Sequence, residues 1–286
     1  MPVIVPAQLQ DAFCARAREA NKYTVGTVSV VGGSVRYPHA PVIAALGARA
    51  AGAGLVQLVV PGASRVAAGA LVPEATLAEL EPACVLPRAD VTVVGMGLGR
   101  SESAASLVSR TLASSDGRLV LDADALSVLA GSGGFCPSGG QEVILTPHEG
   151  EAARLLDWPR ERVSADRLAA VRELVRRYGA TAVLKGPRTL VMSSDGVRLY
   201  ENGTGNPFMA LGGMGDLLAG VIAARWAYLK GDPFLAAASA VWLHGAASDA
   251  LVEKPLDPSI VNTAAELGAL RVRLDSRCVA ARIATR

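Results

Sequence analysis

The sequence predicts an α/β fold in which a central, mostly parallel sheet carries helices on both faces. Short β-rich apolar runs alternate with alanine-rich helical stretches, and the runs are apolar on both sides, as strands covered by helices on each face must be. Each run also ends in a glycine-rich or polar turn. In open α/β sheets ligands bind outside the carboxyl ends of the strands, so these turns are where function is sought.

In chain order, strands are expected at 27–31, 55–60, 91–95, 119–121, 143–145 and 182–184, each a short run rich in Val, Ile and Leu. Helices are expected between them at about 40–53, 101–114, 124–130, 149–156 and 163–178. Right-handed crossovers then place these helices on both sides of the sheet. The character changes after 184, with two hairpin-like strands at 189–192 and 197–200 and then three helices to the end, two of them near 213–229 and 232–251. No fixed-period repeat or linker interrupts the pattern, so one domain over residues 1–286 is expected. The stretch 131–140 (GSGGFCPSGG) reads as a surface loop.

Composition narrows the function. Charged residues make up 19%, hydrophobic residues 51%, and the formal net charge is +2, which excludes a disordered chain and a strongly basic nucleic-acid surface. Arg271, Arg273, Arg277, Arg282 and Arg286 crowd the tail with only Asp275 among them, and a solvated helix end is the expectation there. Cys14, Cys84, Cys136 and Cys278 form no CxxC pair and have no histidines at metal-ligand spacing, so they read as reduced thiols. The start lacks a basic segment followed by an apolar core, and no uncharged apolar run is expected to reach the roughly 20 residues that span a bilayer. A soluble, cytoplasmic protein without a membrane partner follows.

The densest glycine cluster lies in 202–220, NGTGNPFMALGGMGDLLAG, just ahead of a helix expected to run to about Tyr228. Gly212, Gly213 and Gly215 are expected to adopt positive φ and to leave bare N–H groups at a helix start, where the macrodipole favours anions. Asp216 follows directly. A carboxylate between a phosphate cradle and an open pocket is where a hydroxyl loses its proton during phosphoryl transfer.

The other turns add polar groups. Gly32-Gly33-Ser34 follows the first strand, Gly95-Met96-Gly97-Leu98-Gly99 the third, and Asp122-Ala123-Asp124 the fourth, where Asp124 reads as the N-cap of the next helix. In Thr146-Pro147-His148-Glu149, Thr146 as N-cap and Glu149 three residues on would form a capping box, leaving His148 at the pocket rim. Lys185-Gly186-Pro187-Arg188-Thr189 sets a cation in a glycine turn, a candidate phosphate holder.

Together these blocks resemble the ADP-dependent NAD(P)H-hydrate dehydratase family, the dehydratase half of the nicotinamide nucleotide repair pair, with a ribokinase-like fold. The resemblance is ordered along most of the chain. It runs through Gly32-Gly33-Ser34 with Tyr37 and Ala40, Arg49-Ala-Ala-Gly-Ala-Gly-Leu-Val56, Gly95 to Gly99 and Asp122-Ala-Asp-Ala-Leu126. It continues through Thr146 to Glu151, Lys185-Gly186 with Thr189, Gly205-Asn-Pro-Phe-Met-Ala210 and Gly212-Gly-Met-Gly-Asp216.

The resemblance implies removal of water from the (S)-hydrate of NADH or NADPH, with ADP split to AMP and phosphate. It gives Asp216 the catalytic role and assigns Lys185, Gly186, Pro187, Arg188, Thr189 and Gly215 to the adenine nucleotide. Ala40, Gly99 and His148, with Asp216, would line the substrate pocket. Asn206, Gly212, Gly213, Met214 and Gly215 would form the phosphate loop. Magnesium is expected with the phosphates although no metal motif is visible. A homo-oligomer, a tetramer by resemblance, and a separate epimerase acting alongside are also implied.

Met214 stands where the family has Thr, His39 where it has Gly, and Met96 where it has Pro, departures that bear on fine geometry. Two alternatives stay open: an ATP-dependent small-molecule kinase of the same fold, and a nucleotide-binding relative without catalysis.

Overall fold

The β-branched runs form a single nine-stranded sheet in the order β3-β2-β1-β4-β5-β6-β7-β8-β9. The strands are β1 (Thr27–Val31), β2 (Leu55–Val60), β3 (Thr76–Glu79), β4 (Val91–Val94), β5 (Arg118–Leu121), β6 (Glu142–Leu145), β7 (Thr181–Leu184), β8 (Leu190–Met192) and β9 (Leu199–Glu201). Every pairing from β3 to β7 is parallel, and β7-β8-β9 is antiparallel. This computed structural model describes residues 5–81, 84–114, 117–131, 137 and 140–284, with side chains through 276 except that of residue 114. Most of the 131–140 stretch, including Cys136, lies outside the described residues, as does the Cys278 side chain. Cys14 and Cys84 are free thiols.

Alternation along each strand supplies two cores. Val28 and Val30 of β1 and Val120 of β5 join one cluster, whereas Val31, Leu119 and Leu121 join the other. The first face is covered by α2 (Ala40–Ala50), α9 (Met214–Leu229), α10 (Pro233–Glu253) and α11 (Ile260–Ala284). The second is covered by α4 (Glu102–Ser114), α5 (Asp124–Gly131), α6 (Glu149–Leu156) and α8 (Arg167–Tyr178). Short helices α1 (Lys22–Val25), α3 (Arg65–Leu71) and α7 (Arg160–Ala165) complete the set.

The α2–α9 crossing is closed by glycine: a Cβ on Gly220 would lie 1.8 Å from Ala44 O, and one on Gly47 would lie 2.2 Å from Leu217 O. Two backbones this close leave room for hydrogen and nothing larger. That contact fixes α9, and with it Asp216, against the sheet.

Several expectations are corrected. Strand β3 was not foreseen because all four of its residues are exposed at the sheet edge, so it carries no apolar run. The helix expected over 163–178 is two helices, since Asp166 breaks the chain and caps α8 by accepting from Ala169 N at 2.8 Å. Helix α10 is long and apolar enough to cross a membrane by length and composition, but 78% of its apolar window is buried in the fold. The tail is not wholly solvated either, because Arg271 pairs with Asp275 and Arg273 with Glu266.

Candidate functional site

At the carboxyl ends of β4 to β7 the chain gathers the groups that the turns promised. Lys185, one residue past β7, extends the sheet by a parallel bridge to His148, and its N–H donates to Pro147 O at 2.8 Å. Its ammonium lies 2.6 Å from Asp122 Oδ1 and 3.9 Å from Glu151 Oε2. Asp122 is 1% exposed, and the same Oδ1 accepts from Thr146 Oγ1 at 2.7 Å. Burial disfavours the Lys185 charge, but Asp122 and Glu151 outweigh it and hold the ammonium above its usual range.

Asp216 sits in the first turn of α9. Gly213 is its N-cap in the left-handed region, with φ 96°, where a Cβ would lie 2.9 Å from Ile43 Cδ1. Gly212 and Gly215 do not have positive φ, contrary to expectation. Gly215 is helical, and what it needs is space, since a Cβ there would lie 3.3 Å from Lys185 Nζ. The first-turn amides of Gly215 and Asp216 have no partner within the helix, whereas Met214 N donates to Leu211 O. The Met214 side chain is buried in the core, so it takes no part in the cradle.

The Asp216 carboxyl is pushed up to about 7, first by burial and then by the charge of Asp122, with Lys185 pulling the other way. Such a carboxyl changes charge near neutrality, as a working proton acceptor must. It shares Asp122 and Lys185 as electrostatic neighbours with His148, which places both at one mouth.

The capping box falls two residues later than expected. His148, not Thr146, is the N-cap of α6: its Nδ1 accepts from Gly150 N at 3.0 Å and Glu151 N at 3.3 Å, and Glu151 Oε2 accepts from His148 N at 2.9 Å. Thr146 cannot cap because its hydroxyl is held by Asp122 and Leu121 O. A ring whose Nδ1 accepts is neutral with its proton on Nε2. Burial and the Lys185 charge favour that form by lowering the imidazolium pKa. Glu149 is structural as expected, though through Ser164 and Arg167.

Asp124 is also corrected. Its Oδ2 accepts from Gly99 N at 2.8 Å, so it fixes the turn after β4 from within the first turn of α5. Gly99 there has φ 77°, and a Cβ on neighbouring Gly97 would lie 3.1 Å from Ala40 Cβ, so the turn packs on the start of α2. His39 precedes that helix without capping it by a side-chain hydrogen bond. Met96 is fully buried.

On the other side, the turn 185–189 is shaped by Gly186 at φ 146° and Arg188 at φ 56°, with Thr189 Oγ1 donating to Gly186 O at 2.9 Å. Arg188 pairs with Glu201, and Pro187 leads into the bend. Arg167, which sequence reasoning missed, reaches the turn from α8 by donating to Leu184 O at 3.0 Å. The Asn206 loop is tied to α10: Asp249 accepts from Gly205 N at 2.8 Å and from Asn206 Nδ2 at 2.9 Å. Asp122, Glu151, Thr146 and Asp249 were also missed as members of the site. Of these, Asp122, Thr146 and Glu151 stood in strand-end turns that drew attention to them, Thr146 only as a cap, whereas Asp249 lies within α10 and carried no such signal.

A family model described as NAD(P)H-hydrate dehydratase matches residues 28–266. The chain is 42% identical over 250 residues to the ADP-dependent (S)-NAD(P)H-hydrate dehydratase of Neisseria meningitidis serogroup B, covering 84% of this chain and 82% of that one. It is 39% identical to the bifunctional NAD(P)H-hydrate repair enzyme Nnr of Gloeobacter violaceus, but spans only 48% of that longer protein. Among solved structures, the ADP/ATP-dependent NAD(P)H-hydrate dehydratase of Bacillus subtilis, co-crystallised with ATP and Mg2+, superposes with TM-score 0.82 at 29% identity, over 94% of this chain and 96% of that one. A hydroxyethylthiazole kinase from Pyrococcus horikoshii shares the fold alone, with TM-score 0.59 at 18% identity. Sheet order, helix-mouth carboxylate and sequence identity agree, and the chain belongs to the ribokinase-like NAD(P)H-hydrate dehydratase family.

Proposed function

We propose that this protein dehydrates (S)-NADH hydrate or (S)-NADPH hydrate at the expense of ADP, giving the reduced cofactor, AMP and phosphate. The observation that carries this reading is Asp216, its carboxyl pushed up to about 7, next to Gly215, where a Cβ would lie 3.3 Å from Lys185 Nζ. Asp216 takes the proton of the substrate hydroxyl as that oxygen bonds to the terminal phosphorus of ADP and the bond to AMP breaks. Hydroxide leaves a carbon poorly, whereas phosphate leaves readily. The ring-nitrogen lone pair expels the phosphate with its C–O electron pair, and loss of a proton from the adjacent carbon restores the double bond. The Gly215 and Asp216 amides and Lys185 stabilise charge on the transferring group.

The turn 185–189 would hold the adenine nucleotide, and Ala40, Gly99 and His148 the hydrated nicotinamide nucleotide. The neutral His148 ring suits hydrogen bonding to an uncharged carboxamide or sugar hydroxyl through Nε2–H. Among the described residues no three His, Cys, Asp or Glu side chains converge to hold a metal. Magnesium therefore fits this site as the companion of the nucleotide, ligated mainly by phosphate oxygens and water. The relative crystallised with ATP and Mg2+ supports that reading.

The test is a coupled assay of reduced-nicotinamide absorbance after ADP and magnesium are added to the hydrate. Recovery of absorbance with equimolar phosphate release is expected. ADP left intact, with ATP consumed on a thiamine-precursor alcohol, would instead make the protein a kinase of this fold.

A further inference from the structure

We propose that the groove between the carboxyl end of α2 and α11 is a second anion site, built by Arg16 and Arg271 for a multiply charged phosphate-type oxyanion. The groove is open to solvent and holds about 800 Å³. Most of its charges are already matched: Arg49 pairs with Glu74, and Lys254 and Arg273 both pair with Glu266. Arg16 is different. Among the described residues no carboxylate pairs with it, and its one hydrogen bond goes to Gly52 O at 2.5 Å.

Gly52 shows how close the two guanidinium groups come. It has φ 93°, and a Cβ there would lie 2.9 Å from Arg16 Nη2 and 3.0 Å from both Arg271 Nε and Arg271 Cζ. Two like charges thus converge over a residue that offers no side chain. Arg271 is only 15% exposed and shares the single carboxylate Asp275 at 3.0 Å. Burial and then the Arg271 charge act against the Arg16 cation and outweigh the smaller opposing effects of Tyr228 and Asp275.

Behind them Arg225 is completely buried, with Nε and Nη1 unpartnered, and its electrostatic neighbours are Asp275 and Arg271. Among the described residues one carboxylate answers three guanidinium groups, with Arg225 fully buried, Arg271 partly buried and Arg16 exposed at the rim, and this excess of positive charge is what an entering oxyanion would neutralise. Phosphate chains match paired guanidinium forks in geometry as well as in charge. The site lies at the end of α2 opposite Ala40, about 15 Å away for a helix of this length.

Inorganic pyrophosphate titrated calorimetrically into the full-length protein at low ionic strength tests this. R16Q and R271Q should each weaken binding at least tenfold, while N206A, altered at the catalytic loop, should retain it. Dehydratase turnover of R16Q confirms that it is folded. Repeating the titration with ADP separates sources: a second binding event sensitive to R16Q assigns the groove to nucleotide phosphates, and its absence assigns it to free phosphate chains. Equal pyrophosphate binding by wild type and R16Q, loss of all binding in N206A, or no binding by wild type overturns the proposal.

Discussion

Lys185 Nζ is held 2.6 Å from Asp122 Oδ1 while standing where a Cβ on Gly215 would be only 3.3 Å away. One buried ion pair therefore links the end of β5, the end of β7 and the helix turn that carries Asp216. Three separate parts of the sequence are set to one another by it.

Removing half of that pair leaves an uncompensated buried charge, at a cost of about 3–5 kcal/mol. Asp122→Ala should accordingly lower the melting temperature by roughly 6–15 °C for a chain of this size. The double variant with Lys185→Met should recover part of the loss, which thermal melts of the full double-mutant cycle would reveal. Strict additivity would mean that the pair is not coupled.

Asp216→Asn should reduce turnover by about 10²–10⁴-fold, the usual worth of a positioned general base, while ADP still binds. Single-turnover absorbance recovery and calorimetry with ADP measure the two effects separately.

The acid limb of kcat should fall near pH 7, because Asp216 must be ionised to accept a proton and is pushed up to about 7. Asp122→Asn removes a negative neighbour and frees Lys185 to act on Asp216, so the limb should move to lower pH. Stability carries the opposite sign. A carboxyl whose folded pKa is raised binds more protons folded than unfolded, so its contribution is complete below about 4 and is lost as pH rises through 7. Asp216→Asn should therefore melt above wild type at pH 8, by roughly 2–6 °C, with no such gain at pH 4.

Asp249 accepts from Gly205 N and Asn206 Nδ2, tying the loop before α9 to α10. Asp249→Ala removes two hydrogen bonds of about 1 kcal/mol each. It should lower kcat roughly tenfold with little change in KM for ADP. A change confined to melting temperature in steady-state and thermal assays would make Asp249 a purely structural tie.

Gly220→Ala should be among the most damaging single-methyl changes, since its Cβ would meet Ala44 O at 1.8 Å. Separating α2 from α9 would cost about 3 kcal/mol or more and loosen the turn that carries Asp216, read as a lower urea midpoint and reduced turnover.

The alternation of apolar runs and alanine-rich stretches determined the α/β class, eight of the nine strands and the helix mouth with Asp216, because burial on both faces of a strand writes itself into local composition. The edge strand β3 left no such mark, since its four residues are exposed. Local chemistry also could not decide who caps α6: Thr146 and His148 are both competent, and the choice fell to His148 only because Asp122, 24 residues earlier in the chain, takes the Thr146 hydroxyl. The same holds for Asp124 on Gly99, Asp249 on the Asn206 loop, and Arg16 beside Arg271 over Gly52. These are pairings between groups far apart in the chain, and polar side chains choose partners by distance and burial, which exist only once the sheet has brought its strand ends together.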